Sequence, residues 1–89
     1  MDSQKAKSLK ALMVIPGVGK SVAGDLRNLG ITAVEQLKGK DPEELYQELC
    51  ALQGLRIDRC MLYVFRCAIY YAETANPDPE RLKWWHWKD

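Results

Sequence analysis

The chain has 89 residues, of which 47% are hydrophobic, 13 are Lys or Arg and 12 are Asp or Glu. This length corresponds to about one small domain and excludes the parallel sheet with crossover helices that a P-loop nucleotide hydrolase needs. The formal net charge of +1 lacks the basic excess typical of a dedicated nucleic-acid binder. No run approaches the roughly 18 apolar residues of a membrane span, and the first ten residues hold no apolar signal segment, so we expect a cytoplasmic protein with no membrane partner.

Proline and glycine divide the sequence into helix-length pieces, and no stretch has the alternating pattern of a strand. The sequence therefore predicts an all-α fold. A first helix is expected from about Ser3 to Met13, because Leu9 and Leu12 begin an apolar stripe at helical spacing. Pro16 cannot lie inside a helix, so the chain must turn before it.

A second helix is expected from about Lys20 to Leu29, followed by Gly30 as the left-handed residue that ends it. Gly24 lies in the middle of this helix, where glycine costs about 1 kcal/mol relative to alanine. We interpret Gly24 as a place where another helix passes very close.

Two more helices are indicated by their capping residues. The spacing of Thr32 and Glu35 has the form of a capping box and predicts a short third helix. Asp41 as N-cap and Pro42 at the first position predict a fourth helix, which Gly54 ends.

A long fifth helix from about Ile57 to Ala72 is expected at the centre of the bundle, before a short tryptophan-rich helix or tail. Cys60 and Cys67 fall on its predicted inner stripe, so the three cysteines are interpreted as reduced core thiols rather than zinc ligands. The sole histidine, His86, lies in the tail, and no nucleophile, base and orienting group can be assembled around it. We therefore expect no enzymatic activity, no small-molecule substrate and no bound metal.

The stretch IPGVGKS, residues 15–21, has the composition of a phosphate-binding turn. A Walker A loop would need a glycine at the position of Val14, so that motif fails. As a turn between two helices, its glycines allow positive φ and close approach of a ligand, while Val18 can point into the core. The turn amides would then lie at the N-terminus of the second helix, where an anion is favoured and where Lys20 and Ser21 add a charge and a hydroxyl.

Residues 9–31, LKALMVIPGVGKSVAGDLRNLGI, resemble the helix-hairpin-helix family. In that family the hairpin amides bind a DNA backbone phosphate without reading bases, in some members helped by a monovalent cation on hairpin carbonyls. Carried over to this chain, the resemblance implies phosphate contacts at Gly17, Val18, Gly19 and Lys20. The alternative is a turn that only joins two helices, because such hairpins also serve as packing units.

A weaker second copy follows in the stretch LQGLRID, which again lies between two predicted helices. When Gly17 is aligned with Gly54, Arg56 stands where Gly19 would recur, so the second hairpin is degenerate. A side chain there hinders close approach of a phosphate to the backbone, although the guanidinium group can itself reach a phosphate.

Over the whole chain, DPEELYQELCALQG, DRCMLYVFRCAIYYAE and KWWHWKD resemble the small bacterial "pathogenicity locus" family of helix-hairpin-helix proteins, whose name implies no activity. The resemblance implies a five-helix tandem helix-hairpin-helix domain over residues 1–75. Its predicted parts are a first unit at about 3–31, a connector at 32–39, a second unit at about 41–72 and a tryptophan-rich segment at 76–89 that packs on the domain.

Arginines and tyrosines recur at helical spacing along the predicted fifth helix and at the residue before it. Arg56, Arg59, Tyr63, Arg66 and Tyr70 recur at spacings of 3 and 4, which would place them on one stripe. Such a stripe suits phosphate contact combined with base stacking. The alternative is an exposed face whose arginines pair with glutamates of the fourth helix. Those glutamates are Glu43, Glu44 and Glu48.

Trp84, Trp85 and Trp87 cannot all face inward at this spacing, so we expect two to dock on the bundle and one to stay accessible. The leading hypothesis is a non-enzymatic module that binds DNA backbone without sequence preference through the first hairpin. The alternative is a protein-interaction module on the same scaffold, which the near-zero charge and the tryptophans favour. The predicted DNA contacts are Gly17, Val18, Gly19, Lys20, Ser21, Arg56, Arg59 and Arg66.

Overall fold

The computed structural model describes residues 3–88, with side chains from residue 6 onward. It contains four α-helices, and no β-strand occurs within residues 3–88, so the all-helical prediction is confirmed. Met1, Asp2 and Asp89, at the outer ends of the predicted domain ranges, lie outside the described residues. The helices are α1 (Ser3–Met13), α2 (Lys20–Asn28), α3 (Pro42–Gln53) and α4 (Cys60–Glu73).

The segment predicted as a third α-helix is a single 3-10 turn at Val34–Leu37. The predicted capping box at Thr32 and Glu35 does not form, because Gln36 replaces Glu35 by accepting a hydrogen bond from the Thr32 N–H at 2.7 Å. The stretch is too short to propagate an α-helix. It is held instead by Leu37, which is fully buried in the core.

The start of α3 follows its sequence signals, whereas α4 begins later than its hydrophobic pattern predicts. Asp41 accepts a hydrogen bond from the Glu43 N–H at 2.9 Å, and Gly54 ends α3 in the left-handed conformation at φ 68°. Helix α4 starts at Cys60 rather than Ile57, since Asp58 accepts a hydrogen bond from the Cys60 N–H at 2.8 Å. The chain between these helices is therefore a loop, called here the second loop (residues 54–59).

Helix α4 is the central element, as its composition predicts. It packs against α3, the 3-10 turn at Val34–Leu37 and two further 3-10 turns at Pro79–Leu82 and Trp84–Trp87, while α1 packs against α2. No helix within residues 3–88 is long and apolar enough to cross a bilayer. Seven side chains of α4 are buried, namely Leu62, Val64, Phe65, Cys67, Ala68, Ile69 and Ala72.

Two sequence-based expectations about packing are wrong. A Cβ added at Gly24 would meet no atom within 4 Å outside its own helix backbone, so no other helix passes close to it. Cys60 is exposed rather than buried, because it lies at the first turn of α4, beyond the end of the core, while Cys67 is buried and Cys50 is half-buried.

Residues 74–88, the C-terminal segment, are fastened along α4 by several polar contacts. Arg66 Nη1 donates to the Trp87 carbonyl at 2.7 Å, and the Asp78 N–H donates to the Tyr70 hydroxyl at 2.9 Å. Trp87 Nε1 donates to the Arg81 carbonyl at 2.7 Å, which closes the segment on itself. These bonds order a segment in which no side chain is fully buried.

Candidate nucleic-acid interface

The turn between α1 and α2, called here the first hairpin (residues 14–19), is built by two backbone hydrogen bonds. The Ile15 N–H donates to the Leu12 carbonyl at 3.1 Å, and the Val18 N–H donates to the Ile15 carbonyl at 3.0 Å. Gly17 adopts φ +85°, a region that a residue with a side chain rarely enters. The turn therefore depends on glycine at this position.

The N-terminus of α2 is open at its first residues. Gly19 is the N-cap with φ −91° and provides no side-chain cap, and the first N–H groups of a helix have no partner within that helix. A Cβ at Gly19 would meet no atom within 4 Å. Neither backbone strain nor packing within residues 3–88 requires a glycine there, and the missing side chain leaves these amides open to approach from outside.

The five residues predicted at the hairpin divide into two groups. Gly17, Gly19, Lys20 and Ser21 are exposed around the start of α2. Val18 is 5% exposed and belongs to the core, and its N–H is used within the turn. Val18 therefore anchors the hairpin in the core, and the exposed positions of the predicted contact are the other four residues.

The second loop borders an open cleft of about 940 Å³ on the flank of α3. Arg56 and Arg59 line this cleft and are exposed, opposite Tyr46, whose hydroxyl donates to the Ile57 carbonyl. Arg59 Nη1 lies 3.6 Å from Glu43 Oε1, which is one of the pairings that the alternative reading of the stripe predicts. Both side chains are about half exposed (46% and 48%), so this ion pair is weak and open to competition.

The predicted arginine and tyrosine stripe is not continuous on the surface. Arg66 is half-buried, stacks against Tyr63 with its guanidinium carbon 5.7 Å from the ring centroid, and is bonded to the Trp87 carbonyl. Tyr70 lies against Trp87 with ring centroids 5.4 Å apart. The C-terminal segment therefore covers the second half of the stripe, and sequence spacing alone contains no signal for this cover.

Two of the three cysteine thiols have a raised pKa. Burial raises the pKa of the Cys67 thiol, and a hydrogen bond with Asp58 raises the pKa of the Cys60 thiol, so both stay protonated at neutral pH. Within residues 3–88 no three His, Cys, Asp or Glu side chains are grouped to hold a metal ion.

Sequence reasoning missed the neighbour of the first hairpin. A Cβ built on Gly17 would lie 3.3 Å from Cδ1 of Trp84, so the C-terminal segment reaches the turn between α1 and α2. Trp84 also packs on the core, and its ring centroid lies 5.7 Å from that of Trp85, which is 48% exposed. No local pattern links residues 67 positions apart, so only the packing of the C-terminal segment shows this contact.

Comparison of the sequence with known proteins identifies a family. A family model described as "Pathogenicity locus" matches residues 5–89. The chain belongs to the Pathogenicity locus family. This match confirms the family resemblance that was noted in the sequences of α3, α4 and the tryptophan-rich end.

A relative with a curated name supports membership of the Pathogenicity locus family. The chain is 38% identical over 76 residues to the mitomycin resistance protein McrB of Streptomyces lavendulae. The match covers 85% of this chain and 69% of that protein. No solved structure matches the chain at a comparable level.

Proposed function

We propose that this protein is a non-enzymatic DNA-binding module that grips backbone phosphate without sequence preference through its first hairpin. The supporting observation is the open start of α2, where Gly19 has no side chain, the first amides lack helical partners, and Lys20 and Ser21 are exposed. Backbone amides at a helix N-terminus together with a lysine suit a phosphate oxygen. Contacts of this kind position a protein on DNA and carry no sequence information.

We propose further that the chain is a tandem helix-hairpin-helix domain, with α1 and α2 as the first unit and α3 and α4 as the second. Both pairs are in contact, and each is joined by a short loop that contains a glycine with positive φ, Gly17 or Gly54. In the second loop the positively charged side chains of Arg56 and Arg59 provide additional phosphate contacts. Arg66 contributes by fastening the C-terminal segment rather than by contacting DNA.

The proposal includes a monovalent cation held by carbonyl groups of the first hairpin. The carbonyl of Ile15 accepts one hydrogen bond, from the Val18 N–H, and a carbonyl oxygen has a second lone pair. A cation there would add positive charge beside the bound phosphate. We expect no other cofactor, and contact with DNA implies a cytoplasmic location.

An amide-resolved NMR titration with DNA tests the proposal, with Lys20→Gln as the diagnostic variant. We expect salt-sensitive shifts concentrated at residues 17–21. Lys20→Gln should reduce the slope of log affinity against log salt by about 0.7 to 0.9, the value for one lost phosphate contact. Lys40→Gln, which removes another exposed lysine from the chain before α3, is the matched control and should leave the shifts at the hairpin unchanged.

The alternative function is a protein-interaction module that uses the C-terminal tryptophans. The net charge of +1 and the exposed ring of Trp85 favour it. An apolar interface centred on tryptophan responds weakly to salt, whereas phosphate contacts weaken steeply as salt rises. Absence of any amide shift with single-stranded, duplex or branched DNA at low salt would reject DNA binding and favour a protein partner.

The name of the Streptomyces relative suggests a cellular test. McrB is named for mitomycin resistance. We propose that this chain also contributes to tolerance of mitomycin, and we expect cells that lack it to survive the compound less well. Complementation with Lys20→Gln should be weaker than with Lys40→Gln if tolerance depends on the DNA contact at the first hairpin.

A further inference from the structure

The first hairpin and the exposed Trp85 are linked through one side chain, Trp84, although they lie far apart in the sequence. The Trp84 ring lies against Gly17 and edge-to-face with Trp85, with an interplanar angle of 88°. Trp84 is half-buried and packs on the core, so the link is anchored. Helix α2 begins three residues after Gly17, at Lys20, with Gly19 as its N-cap.

Trp85 is held in place while its ring remains accessible. Its centroid lies 5.7 Å from that of Trp84 and 5.9 Å from that of His86, and the interplanar angles are 88° and 84°. Neighbours on both sides restrict the ring, yet 48% of the residue is exposed. A large aromatic ring that is ordered but left in water is typical of a binding surface.

We infer that Trp85 stacks on an unpaired base while the start of α2 holds the phosphate of the same strand. This inference rests on the proposed DNA-binding function and names its substrate class as single-stranded DNA, or DNA with an unpaired nucleotide. A duplex keeps its bases stacked and paired, so their faces are closed to an indole unless the base is extruded at a cost of a few kcal/mol. Stacking on an aromatic ring tolerates any base and therefore agrees with binding that has no sequence preference.

The contacts of the neighbouring side chains single out Trp85 as the accessible ring. Lys83 forms a surface ion pair with Glu80, with 2.9 Å between Nζ and Oε2. The Trp87 indole N–H is bonded to the Arg81 carbonyl, and Trp84 lies against Gly17, so neither presents a free ring in the way Trp85 does. The hairpin supplies the phosphate contact, and Trp85 supplies the base contact.

The test measures binding of the full chain to three oligonucleotides of about 12 residues, a length that spans more than one contact. They are a single strand, the same strand with abasic sites throughout, and its matched duplex. Four proteins are compared by fluorescence anisotropy of labelled DNA at low salt: the wild type, Trp85→Ala, Trp85→Phe and Leu52→Ala. Leu52 is the matched control, because it is a comparably exposed apolar residue (58%) on α3.

We expect Trp85→Ala to weaken binding to the single strand about tenfold and to leave duplex binding within about twofold, as loss of one stacked base predicts. The wild type should bind the abasic strand about as weakly as Trp85→Ala binds the normal strand. Trp85→Phe should lie between the two, and Leu52→Ala should match the wild type. The salt slope should be the same in the wild type and Trp85→Ala, because no phosphate contact is lost.

Equal binding of the wild type and Trp85→Ala to the single strand would overturn the inference while the hairpin proposal stands. The same conclusion follows if abasic and normal strands bind the wild type equally. If the wild type binds none of the three oligonucleotides at low salt, both proposals fail and Trp85 becomes a candidate protein anchor. Thermal unfolding of each variant, followed by circular dichroism, tests whether a variant that binds more weakly is still folded like the wild type.

Discussion

At the scale of single residues, Gly17 and Gly19 lack a side chain for different reasons. Gly17 has a positive φ and Trp84 packs against it, so the fold itself requires glycine. Gly19 has an ordinary φ and open space around it, so its glycine is explained by the ligand that we propose. Substitutions at the two positions can therefore distinguish a structural role, at Gly17, from the proposed functional role, at Gly19.

Gly17→Ala should destabilise the protein by about 1–3 kcal/mol, because alanine at φ +85° is strained and its Cβ crowds Trp84. Gly24→Ala is the control, since Gly24 lies inside α2 with open space and a helical conformation. That variant should gain about 0.5–1 kcal/mol. Urea unfolding measures both, and a Gly17→Ala protein as stable as the wild type would contradict the role assigned to this turn.

At the scale of elements, the start of α4 is set by one side chain of the second loop. The Cys60 N–H donates to Asp58 Oδ1, and this bond to the backbone lowers the pKa of the Asp58 carboxyl below its ordinary value. The unfolded chain has no such bond. Ionised Asp58 therefore stabilises the folded state, and the second loop ends where this carboxylate caps α4.

We predict a pH dependence of stability that Asp58→Asn reduces. Because the folded pKa lies below the unfolded value of about 3.9, the contribution of Asp58 is present above that pH and is lost as pH falls through the folded pKa. The free energy of unfolding of Asp58→Asn should therefore change less than that of the wild type below about pH 4. An NMR titration of the folded protein measures the pKa of the Asp58 carboxyl directly. A folded pKa at or above about 3.9 would refute the capping role.

At the scale of the whole molecule, the C-terminal segment joins the second helix pair to the first hairpin. It is bonded to α4 through Arg66 and Tyr70, while Trp84 reaches Gly17 in the turn between α1 and α2. The first hairpin is therefore in contact with a segment that does not itself belong to either helix pair. Its removal should affect both stability and the first hairpin.

A chain that ends at Ala75 should lose roughly 2–4 kcal/mol of unfolding free energy, because it loses the partly buried Trp84 and Trp87. Trp85→Ala in the full chain is the matched control and should cost within about 0.5 kcal/mol, as usual for surface positions. Urea unfolding measures the stability, and NMR shifts at Gly17 report the hairpin. Unchanged stability and unchanged shifts would show that the segment does not support the turn.

The local signals in the sequence predicted much of the helical framework. Asp41, Pro42 and Gly54 delimit α3 because caps and left-handed residues act over a few bonds. The turn before α2 could be predicted for the same reason, since Gly17 and Val18 have the conformation and burial that their types favour. The prediction of a third α-helix was wrong. The Thr32 N–H, which the predicted capping box would have bonded to Glu35, donates instead to the side chain of Gln36.

By itself the sequence determined the all-helical class, the first hairpin and the family, all of which depend on residue types at short spacing. Only the tertiary structure decided that Arg66 lies under the C-terminal segment and that Trp84 lies against Gly17. These contacts join residues far apart in the chain, and their geometry depends on how α4 and the C-terminal segment pack. Helical spacing places side chains on one face of a helix, but it contains no information about what covers that face.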